Sequence, residues 1–282
     1  MAKFDAYQTV TNKVIELMET HGTNWSRPWA VMGRHVGLQH AHETQRPYEG
    51  LNQLLLMWSG YGDNRWGTYK AWQRVGGQVR GGEKGTAILK PNFKTEILDD
   101  GSEHEKMWFT TIHVFNAEQC DGVPEVETVE LPEIEKQLRA EHFVKNTGAV
   151  IRHGQDSAFY SPALDYIGMP NSNLFKTPQG YYSTLLHELT HWTLHKDRCN
   201  RDASGSFGSA EYAFEELVAE LGATFACVAL GIESEPREDH AQYLNSWIRR
   251  LKDDKTAITR ASSQAKKAFQ FLEGLQPSAQ VA

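Results

Sequence analysis

Long apolar runs are missing from this 282-residue chain. No segment approaches the ~18 consecutive apolar residues of a transmembrane helix, so no membrane partner is expected. The opening stretch MAKFDAYQTVTNKVIELMET is broken by charges and lacks the continuous apolar core of a secretory signal. Cysteine is scarce. Cys120, Cys199 and Cys227 are far apart and odd in number, which supports neither a disulfide framework nor a cysteine-rich zinc site. A reducing, cytoplasmic location is the natural expectation. Internal repeats and low-complexity tracts are missing too. Positive charge is in deficit overall: the net charge of −7 argues against a generic polyanion binder. What remains is ordinary, with 40 % apolar and 23 % charged residues, enough for one large domain or two average ones.

Periodicity gives an α+β reading. Tyr7, Val10, Val14, Leu17 and Met18 fall at helical spacing over 5–19, with Asp5 as cap and Gln8 three residues on. Further helices are expected over Leu51–Trp58, stopping at Gly60, and over Thr68–Val75, with Thr68 as N-cap. Two β-type runs, Ala87–Ile97 and Met107–Phe115, flank Asp99-Asp100-Gly101, a hairpin signal. The acidic, proline-bearing stretch that follows reads as a linker. The expected division is a first domain over 1–123, a linker over 124–135 and a second domain over 136–282. That second domain should hold a helix over Glu133–Asn146, short strands near 149–152, 158–160 and 165–169, and helices over Ser183–Lys196, Glu211–Leu230 and Asp239–Leu272.

Within STLLHELTHWTLH lies HExxH, as His187-Glu188-Leu189-Thr190-His191. Residues i and i+4 share one helix face, so both imidazoles can reach one ion. Glu188 at i+1 cannot join them as a ligand. It can instead act as the catalytic base that takes a proton from a water polarised by the ion. Such a site needs a third protein ligand. The later segment EYAFEELVAELGATFACVALG supplies Glu211, Glu215, Glu216 and Glu220 among apolar neighbours that mark a buried helix. A buried carboxylate needs a partner. Glu216 is the favoured third ligand, with Glu220 orienting a histidine, and the reverse assignment is the alternative. Glu211 and Glu215 read as a solvated face, and His195 as structural or exposed. Zinc is the expected ion, although His and carboxylate ligands also admit manganese, iron or nickel. The stretch 158–170 could supply an edge strand that holds an extended peptide. One of Tyr181, Tyr182 and Tyr212 could donate a hydrogen bond to an oxyanion.

The N-terminal half looks different. Trp25, Trp29, Trp58, Trp66, Trp72 and Trp108 crowd into it, and from Arg65 to Lys94 basic residues far outnumber acidic ones. Aromatic rings interleaved with Arg and Lys suit a single-stranded nucleic acid, whose bases stack and whose phosphates pair with cations. Trp25, Trp29 and Trp58 read as core. Arg46, Trp66, Lys70, Trp72, Arg74, Arg80 and Lys84 are the candidate DNA-binding residues, and Gly-rich turns such as GGQVRGGEKG could approach a phosphate.

Longer segments carry a resemblance. NWSRPW (24–29), RPYEGLNQLLL (46–56), WGTYKAWQRVGGQVRGGEKGTAILKP (66–91) and VFNAEQCDG (114–122) are similar to the N-terminal domain of ArdC-type antirestriction proteins of conjugative plasmids and of the related TraC-type primases. DYIGMP (165–170), YYSTLLHELTHWT (181–193) and FGSAEYAFEELVAELGA (207–223) resemble the zincin-like metallopeptidase domain paired with it. The resemblance implies a domain that binds single-stranded DNA without strong sequence preference. It also implies a gluzincin-type domain with a His-His-Glu metal site and a role in protecting incoming plasmid DNA. The peptidase substrate is left open. The alternative is a DNA-coating protein whose metal site is structural or vestigial. A metal-dependent nuclease ranks lower, because such sites favour carboxylate clusters and paired ions.

Overall fold

The computed structural model describes residues 5–22, 25, 37–97, 102–124, 131–201, 205, 209–233 and 241–277. The expected Asp99-Asp100-Gly101 turn, Trp29 and residues 125–130 of the expected linker lie outside them. The architecture is α+β. In chain order it runs α1 (Ala6–His21), β1 (His40–Ala41), α2 (Leu51–Met57), β2 (Arg65–Gly67), α3 (Tyr69–Arg74), β3 (Gln78–Val79), β4 (Thr86–Ile97), β5 (Glu103–Asn116), β6 (Cys120–Asp121), α4 (Glu133–Thr147), β7 (Ile151–His153), β8 (Phe159–Ser161), β9 (Tyr166–Met169), α5 (Pro178–Trp192), α6 (Ala210–Leu230), α7 (Ala241–Asp253) and α8 (Ala257–Gly274).

Local chemistry sets most boundaries. The Asp5 side chain accepts from the Gln8 amide at 3.2 Å and opens α1, and Thr68 accepts from Ala71 at 3.2 Å and opens α3. Helix α5 starts earlier than its apolar pattern suggests. Thr177 caps it by accepting from Gly180 at 3.0 Å, and Pro178 occupies the first turn, where its missing N–H costs nothing. The single long helix expected over Asp239–Leu272 is two. Asp254 breaks it by accepting from the amide of Thr256 at 2.9 Å and from its hydroxyl at 2.7 Å, a local alternative to helical bonding.

The sheets follow the order β1-β2-β5-β4, β3-β6 and β7-β9-β8. In the last of these, β9 is central, parallel to β7 and antiparallel to β8. Among the described residues, the stretch 158–170 therefore has its sheet edge at β8. Helix α6 packs between α5 and α8. One hydrophobic core joins both halves of the chain: Val10, Val14 and Met18 of α1 and Leu51 and Leu54 of α2 belong with Leu186, Leu189, Leu217, Leu221, Trp247 and Phe269. Trp25 is buried there against Trp58 and Trp247. No helix among the described residues is long and apolar enough to cross a membrane.

Candidate metal centre

Helix α5 is buried along most of its length, and it carries HExxH on the buried part: His187, Glu188 and Thr190 are nearly inaccessible. It meets α6 at close range, because a Cβ on Gly222 would lie 2.5 Å from the Thr190 methyl. Only glycine lets the two backbones approach this far. The approach sets the carboxylates of α6 against the imidazoles of α5.

The nitrogens Nε2 of His187 and His191 stand 3.1 Å apart. Glu216 reaches the first with Oε2 at 3.4 Å and the second with Oε1 at 3.6 Å. An ion bound tetrahedrally at ordinary nitrogen and oxygen distances separates its ligand atoms by about 3.3–3.6 Å. His187, His191 and Glu216 thus bring a triangle of three ligand atoms to within reach of one such ion, with the two nitrogens slightly closer than that spacing, and they are the metal-capable cluster among the described residues. Glu220 stands elsewhere, 3.7 Å from Nδ1 of His187, on the far side of that ring from the triangle.

Nδ1 of His191 likewise faces a carboxylate, that of Glu215 at 3.2 Å. This corrects the reading of Glu215 as a solvated residue: it is buried, and Arg201 holds it with two bonds of 3.0 and 2.7 Å. Arg201 also donates to the Thr193 hydroxyl at 2.7 Å and the Thr190 carbonyl at 2.9 Å, locking the segment after α5 onto its C-terminal turn. Neither residue was expected at the site. The small residues Ala219, Gly222 and Ala223 one or two turns on were the available signal, since they mark a face pressed against another helix.

The electrostatics follow from this crowding. Burial opposes protonation of His191, but its bonds with Glu215 and Glu216 outweigh burial and push it up to about 10. Burial would raise Glu216, yet the two imidazoles hold its carboxyl well below the usual range. Glu188, Glu215, Glu216 and Glu220 are all buried in this one region. Gathering that much negative charge away from water is costly without compensating cations. Of the three candidate tyrosines, Tyr212 is the one in contact with Glu216. The Tyr181 hydroxyl pairs with His153 at 2.8 Å and that of Tyr182 with Glu141 at 3.2 Å. His195 is partly exposed beside Asp197.

The N-terminal candidates fare differently. Trp66 and Trp72 are fully buried. Their indole N–H groups donate inward, to Gln39 at 2.6 Å and to the Phe115 carbonyl at 2.9 Å. Both rings fill small satellite cores and have no face to offer a base, which corrects the expectation that they stack on DNA. Arg65, part of the basic run, is buried in a fork with Asp63. Arg74 is exposed but paired with Glu43 at 2.6 Å, and Arg80 with Glu83 at 3.1 Å. Arg46, Lys70 and Lys84 are exposed.

Residues 138–264 match the family of zincin-like metallopeptidases, and residues 4–118 the N-terminal domain of the anti-restriction factor ArdC. A metallopeptidase-type domain is thus joined to an ArdC-type one. The chain belongs to the ArdC family of antirestriction proteins. The crystal structure of antirestriction ArdC from plasmid R388 in its metal-free form superposes with a TM-score of 0.80 at 36 % identity, covering 96 % of this chain and 98 % of that one. Its Mn(II)-bound form gives 0.76 at 37 % identity, covering 98 % and 100 %. The uncharacterized protein y4eC of Sinorhizobium fredii is 36 % identical over 98 % of this chain and 94 % of its own. DNA primase TraC of Escherichia coli is 38 % identical over 94 % of this chain, which spans only 27 % of that primase.

Proposed function

We propose that this protein binds single-stranded DNA through its N-terminal half and hydrolyses a protein substrate at a single divalent ion held by His187, His191 and Glu216. In this reading it acts in the cytoplasm on DNA entering the cell. The observation that carries the peptidase reading is the convergence of both Nε2 atoms, 3.1 Å apart, with the Glu216 carboxylate, whose two oxygens stand 3.4 and 3.6 Å from them, as one ion held by three ligands requires. Zinc is the expected ion from the ligand set. Manganese is the ion named for the R388 relative, and this donor set admits it. Such an ion supplies a polarised water and a Lewis acid for a peptide carbonyl.

The chain's own residues do the rest. Glu215 accepts from Nδ1 of His191 at 3.2 Å and the Glu220 carboxylate faces Nδ1 of His187 at 3.7 Å, so each Nε2 lone pair is turned toward the centre. Glu188 takes the proton of the attacking water on its carboxylate and returns it to the departing amine. Tyr212, beside Glu216, is placed to donate to the oxyanion. For the DNA, Arg46, Lys70 and Lys84 are exposed candidate cations in the first half, and a phosphate would have to compete with Glu43 and Glu83 for Arg74 and Arg80.

Elemental analysis of the wild type, His187→Ala and Glu188→Gln, with hydrolysis of a peptide library by the same samples, tests the reading. About one equivalent of metal in the wild type and Glu188→Gln, none in His187→Ala, and cleavage by the wild type alone is the expected pattern. A wild type that binds metal and single strands but cleaves nothing leaves the DNA-coating alternative. A wild type that takes up no metal overturns the peptidase reading.

A further inference from the structure

We propose that the outer half of the β4–β5 hairpin is a nucleic-acid-binding arm, on which Trp108 stacks against an unpaired base and Lys90, Lys94 and Lys106 hold the flanking phosphates. The proposal rests on the reading of the N-terminal half as a single-strand binder and gives that reading a location.

Strands β4 and β5 pair over their whole shared length, from Thr86 opposite Val114 to Ile97 opposite Glu103. Near its base the hairpin is anchored. Ile88 and Val114 are buried with Leu56 and Trp66, Leu89 enters the main core, and Phe109 meets Tyr7 edge-on at 5.7 Å. Farther out the support ends: Phe93, Trp108 and Ile97 are 59, 42 and 76 % exposed. Among the described residues β4 pairs only with β5, so the arm has an open edge as well as two open faces.

Side chains alternate between faces along a strand. One face carries the pairs Lys90 with Thr110, Asn92 with Trp108, Lys94 with Lys106, and Glu96 with His104. The opposite face carries Pro91 with Phe109, then Phe93, Thr95 with Glu105, and Ile97 with Glu103. Charge is therefore segregated. The lysines lie on the Trp108 face, whose acid is Glu96, paired with Lys94 at 3.2 Å. Glu103 and Glu105 lie on the other.

Trp108 sits amid these lysines. Asn92, directly across from it, is held down by bonds to the Lys90 carbonyl at 3.1 Å and the Thr110 hydroxyl at 3.0 Å. Lys94 and Lys106 are directly opposed, an arrangement that destabilises a hairpin by itself. An anion spanning the two ammonium groups relieves that repulsion. An exposed indole ringed by cations suits an unpaired base within a phosphate backbone, because every base has a face to stack. An acidic peptide would engage the lysines with no use for the indole.

The test is fluorescence anisotropy of the full chain with a labelled oligothymidylate, the matching duplex and oligoglutamate, across a salt series. Trp108→Ala is expected to weaken single-strand binding about tenfold or more, and Trp108→Phe to restore most of it. Lys94→Gln with Lys106→Gln should lower the slope of log affinity against log salt by about 1.4, the share of two phosphate contacts on a single strand. Phe93→Ala, on the opposite face, should change neither. If Trp108→Ala binds single strands as the wild type does, the arm assignment falls while the single-strand reading stands. If the wild type binds no single strand at low salt, both fall. Equal losses on duplex and single strand, equal loss in Phe93→Ala, or Trp108-dependent binding of oligoglutamate would each overturn the assignment of this face to unpaired bases.

Discussion

His187 and His191 lie one helical turn apart and face one another across 3.1 Å, whereas Trp66 and Trp72, equally conspicuous in the sequence, are both sealed inside cores. The first pair is governed by the helix repeat, which fixes a relation between two side chains whatever packs around them. The second depends on which faces of β2 and α3 turn inward, and only the assembled sheet decides that. Spacing within one element survives folding, while abundance in a region does not say which residues stay wet. The same contrast holds within α6. Glu216 and Glu220 share a face by their spacing, but whether Glu215 faced solvent depended on the loop that brings Arg201 to it.

The largest test of this contrast is Trp72→Ala. A fully buried indole whose N–H bonds the Phe115 carbonyl is expected to cost about 3–5 kcal/mol of stability in a urea melt. The exposed Trp108→Ala should stay within about 0.5 kcal/mol of wild type in the same melt. A Trp72→Ala protein as stable as wild type, yet unable to bind single strands, would return Trp72 to the surface and erase the contrast.

Next in size is the carboxylate behind His191. Glu215→Gln keeps the volume but weakens the bond to Nδ1 and leaves Arg201 without its counter-charge. Metal affinity, read by competition with a chromophoric chelator, should fall about 10- to 100-fold. Glu220→Gln should fall less, because Glu220 stands at 3.7 Å from its histidine and Glu215 at 3.2 Å. The reverse order would mean that the Arg201 lock contributes nothing to the site.

Much of the architecture was legible. The caps Asp5 and Thr68, the β4 and β5 runs, α4 and α6 all follow from local signals that the structure uses. Other features were not, for reasons particular to each. The two-residue strands β1, β3 and β6 are too short to show alternation. The break at Asp254 rests on one side chain bonding Thr256 in place of the helix. The shared core of α1, α2 and α8 joins residues more than two hundred positions apart, which no window along the chain can register. In the metal site, the pairing of the histidines and the shared face of Glu216 and Glu220 were open to helix geometry, which does not choose between the two carboxylates, while Arg201 arrives from a loop with no period.

Gly222 probes the junction between the two kinds of information. Its replacement by alanine puts a methyl where the Thr190 side chain already lies 2.5 Å away. The expected cost is about 1–3 kcal/mol, with α5 and α6 forced apart and the ligand triangle opened. Metal affinity should therefore drop in Gly222→Ala although every ligand remains. Unchanged affinity would show that the triangle tolerates helix separation and is set by α5 alone.

The smallest effect concerns the clamp behind the site. Arg198 lies 3.9 Å over the Trp192 ring, donates to the Trp192 carbonyl at 2.6 Å and forks onto Asp165, tying the end of α5 to the turn before β9. The guanidinium beside Asp165 holds its carboxyl below the usual range. A carboxyl depressed in the folded state stabilises at pH above its unfolded value of about 3.9, and that contribution is lost as pH falls through the folded value. Asp165 is partly exposed, so the pair is worth at most about 1 kcal/mol, a few degrees in melting temperature. Asn tolerates the left-handed backbone at this position, where φ is +48°, so Asp165→Asn removes the charge without adding strain. Its melting temperature should sit slightly below wild type at pH 7 and converge with it below about pH 4, with metal affinity at pH 7 unaltered. If metal affinity falls with the clamp, the site depends on tertiary ties as much as on the helix repeat, and the separation drawn between the two halves of the molecule narrows.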